Sequence, residues 1–350
     1  MAGRPVSDFP LVEGFEEAWR PPVRPRRRRP EAVLPNGAAQ AGEEVRARLA
    51  RVARRAPEVM VKVSGRTRDP GHLRAHLDYV ARHGELGLED HDGAVLDGRA
   101  PLRELAEDWS ALALADRRRR ATTPLSHSLV LSMPGGAAPL AVRDAARAFA
   151  AEVFADRFDY VLVLHSDTTH PHVHLVVRSL GHRGERLAPK KADLEAWRQV
   201  FAQALRDRGI EAEATPRRAR GVTRKAERTP LRRIRERHEA GLGRPPQVWR
   251  GAYQAAARAA FGGENQPVPW EDRLAARQRQ VRGLYLAQAN LLQRSAGPRD
   301  RELGAQVETF VRGLPPPDTQ RLALARELRA ASRALHQDRG DARKDRSRQR

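Results

Sequence analysis

The chain has 350 residues, with 65 Lys+Arg against 44 Asp+Glu for a formal net charge of +21, and room for about two domains. It contains no cysteine, which excludes disulfides, Cys-type zinc sites and thiol nucleophiles and fits a reducing cytosol. No apolar run approaches the ~18 residues of a membrane span, no Gly-Lys dipeptide supports a Walker A loop, and the N-terminus shows no secretory-signal pattern.

Hydrophobic residues make up 40% of the chain and aromatics 5%, so alanine, leucine and valine must build most of the core. Only five of the basic residues are lysine; sixty are arginine, the side chain that forks onto phosphate oxygens. A balance this basic says little about fold and points to polyanionic partners.

Residues 1–57 read as a basic, largely disordered arm. Pro21, Pro22, Pro25 and Pro30 bracket Arg24 and the run Arg26 to Arg29, and proline at this density blocks helix and sheet ladders. A short basic helix is expected within 43–55. From residue 58 the pattern changes. Val59, Val61 and Val63 alternate as in a strand. Asp69-Pro70 suits an N-cap and first helical position, opening a helix that runs to Gly84 with Leu73, Leu77, Val80 and Ala81 on its apolar face.

Further along, residues 101–120 read as a helix, 126–132 as a strand, 140–156 as a helix, and 159–164 and 173–178 as strands. Residues 193–208 are a helix capped by Asp193, with Leu194, Trp197, Val200, Phe201 and Leu205 as its buried stripe. Short strands alternating with helices predict an α+β domain over 58–212, with helices packed on an antiparallel or mixed sheet. Residues 213–246 read as a basic linker: 216–237 hold ten Arg/Lys against two Glu. Residues 247–337 read as a helical region, and 338–350 as a charged tail.

The densest chemical signal is His165-x-Asp167-x-x-His170-x-His172-x-His174. On a strand, residues two apart face the same side, so the imidazoles of His172 and His174 converge. If 159–165 pairs with 172–178, His165 lies beside them. Three imidazoles on one sheet face make a divalent-metal site with open positions for water or substrate. Asp167 is placed to orient a histidine or to act as a general base. A metal held by neutral imidazoles keeps its full charge and binds phosphate oxygens. With the basic composition, this suggests phosphodiester chemistry on nucleic acid.

A side-chain nucleophile would come from one of four tyrosines: Tyr79, Tyr160, Tyr253 and Tyr285. Tyr160 lies in an apolar strand, and Tyr253 and Tyr285 read as packing residues of the helical region. Tyr79 differs. It lies nearly opposite Leu77 on its helix and shares a face with His72, His76, Arg82 and His83. Nearby cations favour the phenolate, which is the nucleophilic form.

His165-x-Asp167-x-x-x-x-His172-x-His174 resembles the signature motif of relaxases, the plasmid mobilisation nucleases named for a His-hydrophobic-His pair, here His172-Val173-His174. Leu129-Val-Leu-Ser132-Met-Pro134 resembles the strand and turn that precede it. His76-Leu77-Asp78-Tyr79-Val80-Ala81-Arg82-His83-Gly84 resembles the first motif of the mobilisation branch. The resemblance covers residues 58–212. It implies an antiparallel sheet of about five strands, Mg²⁺ or Mn²⁺ on His165, His172 and His174, and Tyr79 as the nucleophile, with Asp167 activating it or orienting a histidine. It further implies single-stranded DNA at a transfer origin as substrate and a 5′-phosphotyrosyl adduct as product. Arg82, Arg178, Arg217, Arg218 and Arg220 are the expected strand contacts. Arg178 stands where many members have asparagine. Accessory relaxosome proteins and a type IV secretion coupling protein are the implied partners, in a bacterial cytoplasm, with export alongside DNA a corollary.

Two other readings share some of these residues. In rolling-circle replication initiators the tyrosine usually follows the His pair, whereas Tyr79 precedes it. A basic DNA-binding accessory protein with a degenerate nuclease site would need an incomplete metal set, and all three ligand positions are present. A metal-dependent hydrolase using water would leave Tyr79 incidental.

Overall fold

A computed structural model describes residues 9–20, 38–224, 227, 229–262 and 268–348. The chain divides into two compact units. One comprises residues 21–215, and the other combines residues 1–20 with 216–350. The arginine–proline stretch 21–30 lies outside the described residues.

The first unit begins with α1 (Ala38–Ala53), followed by β1 (Met60–Thr67), α2 (Pro70–Val80), β2 (Leu88–Asp90), β3 (Val95–Leu96), α3 (Arg99–Ala115), β4 (Ser126–Ser132), α4 (Pro139–Phe154), β5 (Tyr160–His165), β6 (His172–Arg178) and α5 (Lys191–Arg206). The six strands form one sheet in the order β1-β4-β6-β5-β2-β3, and every pair is antiparallel. The α+β class is therefore the observed one. The sheet has one strand more than the five expected because β2 and β3 form a short edge hairpin. Asp90 builds its turn by accepting the amides of Asp92 and Ala94 on Oδ1 at 3.0 and 2.8 Å. Strands this short carry no readable alternation. The Asp92-Gly93 pair, with Gly93 at φ 85°, is the local sequence signal of this turn.

The sheet is buried on both faces by different helices. Val61, Leu129, Leu131, Val173, Leu175, Val177, Tyr160 and Leu162 face α4 and α5. There Phe149 meets Phe154, Trp197 and Phe201 edge-to-face, with ring centroids 6.0, 6.5 and 6.1 Å apart. The opposite face presents Val161, Val163 and Val176 to Leu73, Leu77 and Val80 of α2 and to Leu102, Ala106 and Trp109 of α3. This alternation is the period-2 rule of a pleated strand applied twice.

Local signals explain the helix boundaries. Asp69 Oδ1 accepts the His72 amide at 2.8 Å, and Pro70 opens α2 as expected. That helix stops at Val80, short of Gly84, because Arg82 and His83 adopt positive φ. In α5 the N-cap is Lys190; Asp193 lies in the first turn and accepts the Lys190 amide at 2.7 Å.

Within the expected arm, α1 is a formed helix with Val45, Leu49 and Val52 buried at helical spacing. Glu213 anchors it. This fully buried carboxylate takes Arg51 Nε at 2.7 Å and approaches Arg48 Nε at 3.5 Å. It also accepts the Thr215 hydroxyl at 2.9 Å, while its backbone bonds Pro57 and Val59.

In the second unit, Phe15 and Trp19 from the N-terminal residues are buried, and Trp19 Nε1 donates to Tyr285 Oη at 2.8 Å. These aromatics are what a composition-based reading of an arm overlooks. The unit also contains α6 (Thr229–Glu239), inside the segment read as a linker, then α7 (Gln247–Phe261), α8 (Pro269–Gln293), α9 (Pro298–Arg312) and α10 (Gln320–Arg348). The last helix extends through most of the expected tail. Tyr285 is fully buried, as a packing residue should be, whereas Tyr253 is 47% exposed. Among the described residues, no helix is long and apolar enough to cross a membrane.

Burial alone raises the Glu213 pKa, but Arg48, Arg51 and the Ala214 amide together hold it below the ordinary 4.5. A folded-state pKa below the unfolded one adds stability that is present above about pH 4.5 and lost as pH falls through the folded value. Glu213→Gln leaves two arginines facing an uncharged amide and is expected to cost about 3–5 kcal/mol near neutral pH. Urea denaturation of both proteins should show this gap closing as the pH is lowered below about 4.5.

Candidate metal centre and tyrosine helix

Antiparallel pairing of β5 with β6 sets His165 directly opposite His172, and His174 follows two residues later on the same face. The ring centroids are 5.3 Å apart for His165–His172, 4.5 Å for His165–His174 and 5.2 Å for His172–His174. One nitrogen from each ring lies within 4.8 Å of the others, a grouping able to hold a metal ion. Two of the rings have a second contact that orients them. His165 Nε2 donates to the Val80 carbonyl at 2.7 Å, and His172 Nδ1 donates to the His170 carbonyl at 3.1 Å. These bonds leave His165 Nδ1 and His172 Nε2 as the lone-pair nitrogens, the outer-partner arrangement usual for metal-binding imidazoles.

His174 Nδ1 is buried without a hydrogen-bond partner, which leaves it as a donor atom suited to a metal. Burial, reinforced by His165 and His172, pushes the His174 pKa down to about 4. Burial also lowers that of His165. Rings held neutral keep their lone pairs available near pH 7. The donor set and its protonation fit a divalent ion.

Tyr79 lies one residue before the carbonyl that orients His165. Leu77 and Val80 are fully buried while Tyr79 is 65% exposed, so its ring points away from the core. One turn earlier, His76 Nε2 is 2.6 Å from Ser128 Oγ on β4, which fastens the helix to the sheet. Beyond the helix, Arg82 and His83 have φ 53° and 59°. A left-handed conformation costs a non-glycine residue about 1–2 kcal/mol, and such strain concentrates at functional sites.

The loop from Ser166 to Pro171 is held from two sides. Arg82 Nη2 donates to Asp167 Oδ2 at 2.6 Å, a bond that keeps the Asp167 carboxyl below its ordinary pKa. On the other side, Ser132 Oγ and the Met133 amide donate to the Pro171 carbonyl at 3.2 and 3.3 Å. Gly135 packs so tightly there that a Cβ would lie 2.9 Å from the Thr169 carbonyl oxygen. Ser128, Gly135 and the Val80 carbonyl belong to this site and were not singled out from the sequence. The Met133-Pro134-Gly135-Gly136 turn sequence is a local signal for one of them.

The expected strand contacts fare differently. Arg82 is at the site, paired with Asp167. Arg178 is not: it is 7% exposed at the far end of β6, about 13 Å of strand beyond His174, with its guanidinium 2.8 Å from Asp159 Oδ2. Arg217, Arg218 and Arg220 belong to the second unit, on a short 3-10 turn, Arg217–Arg220. Arg217 is exposed, and the Arg218 carbonyl accepts Gln278 Nε2 at 2.9 Å.

Gly135→Ala is expected to push the Thr169 segment outward and cost about 1–3 kcal/mol, the usual penalty of overpacking. Amide hydrogen exchange should show faster exchange confined to residues 166–171.

A family model for the MobA/VirD2-like relaxase nuclease domain matches residues 82–210. The match includes all three histidines and Asp167 and begins three residues after Tyr79. The T-DNA border endonuclease VirD2 of Rhizobium radiobacter is 29% identical over 188 residues, covering 47% of this chain and 43% of that protein. The VirD2 of Agrobacterium fabrum strain C58 is 28% identical over 210 residues, covering 51% and 46%. The chain thus spans less than half the length of these relatives. A solved structure, "Molecular Basis of Vancomycin Resistance Transfer in Staphylococcus aureus", covers 45% of this chain and 97% of its own at 12% identity, with a TM-score of 0.31 too low to bear on the fold. Residues 82–210 are thus similar to the nuclease domain of MobA/VirD2-like relaxases.

Proposed function

We propose that this protein nicks one DNA strand at a transfer origin by transesterification onto Tyr79, with a divalent ion, Mg²⁺ or Mn²⁺, held by His165, His172 and His174. The observation that carries this reading is the junction of three converged imidazoles with the end of the helix bearing an exposed tyrosine. His165 Nε2 reaches the Val80 carbonyl at 2.7 Å.

A divalent ion at such a centre supplies charge neutralisation to the oxygens of the scissile phosphate. The chain's own groups do the rest. Tyr79 Oη forms a bond to phosphorus as the bond from phosphorus to the 3′ oxygen breaks. The phenolic proton leaves Tyr79, and the departing 3′ oxygen ends as a hydroxyl. One phosphodiester is exchanged for another, so the same site can rejoin strands. Asp167, fixed by Arg82, acts by orientation in this scheme. The exposed arginines, Arg217 among them, contribute phosphate contacts whose strength falls with salt.

The test is incubation with single-stranded DNA from the gene's own neighbourhood in Mn²⁺, followed by detergent denaturation. A covalent protein–DNA band is expected from the wild type and none from Tyr79→Phe, with metal affinity unchanged in that variant. His172→Ala should lower Mn²⁺ affinity by more than about 100-fold, the upper figure for losing merely an outer partner, and lose the band with it. Cleavage that survives Tyr79→Phe would instead identify a hydrolase using water.

A further inference from the structure

The turn after α2 is strained in a directed way. Arg82, His83 and Gly84 have φ 53°, 59° and 88° in succession, and consecutive non-glycine residues in this region are uncommon. The surroundings impose it. His83 Nδ1 is 2.6 Å from Asp78 Oδ2. Arg99 Nε donates to the His83 carbonyl at 2.9 Å. The amides of Gly84 and Leu86 both donate to the Ala81 carbonyl, at 3.1 and 2.9 Å. A helix continuing through these residues would rotate each side chain by about 100° from the last. The left-handed turn sends the Arg82 guanidinium across to Asp167 instead, with Nη2 2.6 Å from Oδ2.

Asp167 heads the loop that connects the metal-facing histidines of β5 and β6. That loop is pinned on its far side by Ser132, Met133 and Gly135. Arg82 is its tie on the tyrosine side. We infer that Arg82 is a positioning residue: it locks the loop between His165 and His172 to the end of the tyrosine helix, so that nucleophile and metal ligands keep one register. This deepens the proposed function and rests on it for the rate effect. It replaces the sequence-based expectation of Arg82 as a strand contact.

Both partners are about half exposed, with side chains at 42% and 52%, and exposed pairs add little to global stability. The loss should therefore appear in local order and in rate. Positive φ provides a discriminating variant, because Arg82→Gly relieves the backbone while deleting the guanidinium. Arg82→Gly should unfold at no lower urea concentration than the wild type. Amide exchange across 166–171 should nevertheless accelerate, in the absence of DNA and metal. Adduct formation at saturating DNA should slow by roughly 10- to 100-fold, the range for removing an outer partner. Asp167→Asn should slow it similarly, and the double variant should lose little more than either single one.

Unchanged exchange across 166–171, additive rate losses, or a salt slope of DNA binding reduced by about one unit with rate intact would overturn the inference. The last would make Arg82 a phosphate contact. The exchange measurement needs no catalysis, so absence of an adduct from the wild type would sink the tyrosine reading and leave the tie between Arg82 and the loop separately decided.

Discussion

The register between β5 and β6 is the constraint on which the site depends. His165 opposite His172 puts three imidazoles on one face, and a slip of one residue would send His172 and His174 to the face filled by α4 and α5. That face holds Val173, Leu175 and Val177, each buried with no measurable exposure, so a slip would also drive two imidazoles into the core and turn three apolar side chains out of it. The convergence of the imidazoles is thereby enforced by the hydrophobic pattern of the same strand. No separate device is needed to align His172 with His174.

The other face is divided along its length. α2 and α3 cover Val161, Val163 and Val176, and the histidines lie beyond the valines toward the loop end of the strands. Where the cover stops, the chain makes its contacts with the site: the Val80 carbonyl on His165, then the left-handed turn at Arg82 and His83. Burial near this edge also sets protonation. It keeps His174 and His165 neutral, and an arginine holds Asp167 ionised. A centre built this way keeps imidazole lone pairs available, so that a divalent ion held there would retain its full charge for phosphate oxygens.

The charge of the chain is arranged by burial as much as by count. Some arginines are spent on internal carboxylates. Arg48 and Arg51 meet the buried Glu213, Arg178 meets Asp159, and Arg321 meets Glu271. These cannot be read as a DNA footprint, although they contribute to the net +21. The exposed remainder carries the surface charge; Arg217 is one of these, with Nη2 2.7 Å from the Arg224 carbonyl.

By itself, the sequence determined the features that rest on local periodicity and spacing. Alternating valines and leucines marked β1, β4, β5 and β6. Apolar stripes marked α2 to α5, and the Asp69-Pro70 start was legible because capping is a local interaction. The His172–His174 pairing and the outward face of Tyr79 followed from the two- and 3.6-residue repeats. Tertiary structure decided what depends on residues distant in the chain. The pairing of Arg178 with Asp159 places an expected strand contact in a largely buried ion pair. Trp19 joined Tyr285 across 266 residues, giving order to residues that composition alone assigns to an arm. The early end of α2 came from Asp78, Arg99 and Asp167 acting together on one turn. Such outcomes depend on which groups the fold brings within about 3 Å, and no spacing along the chain encodes that.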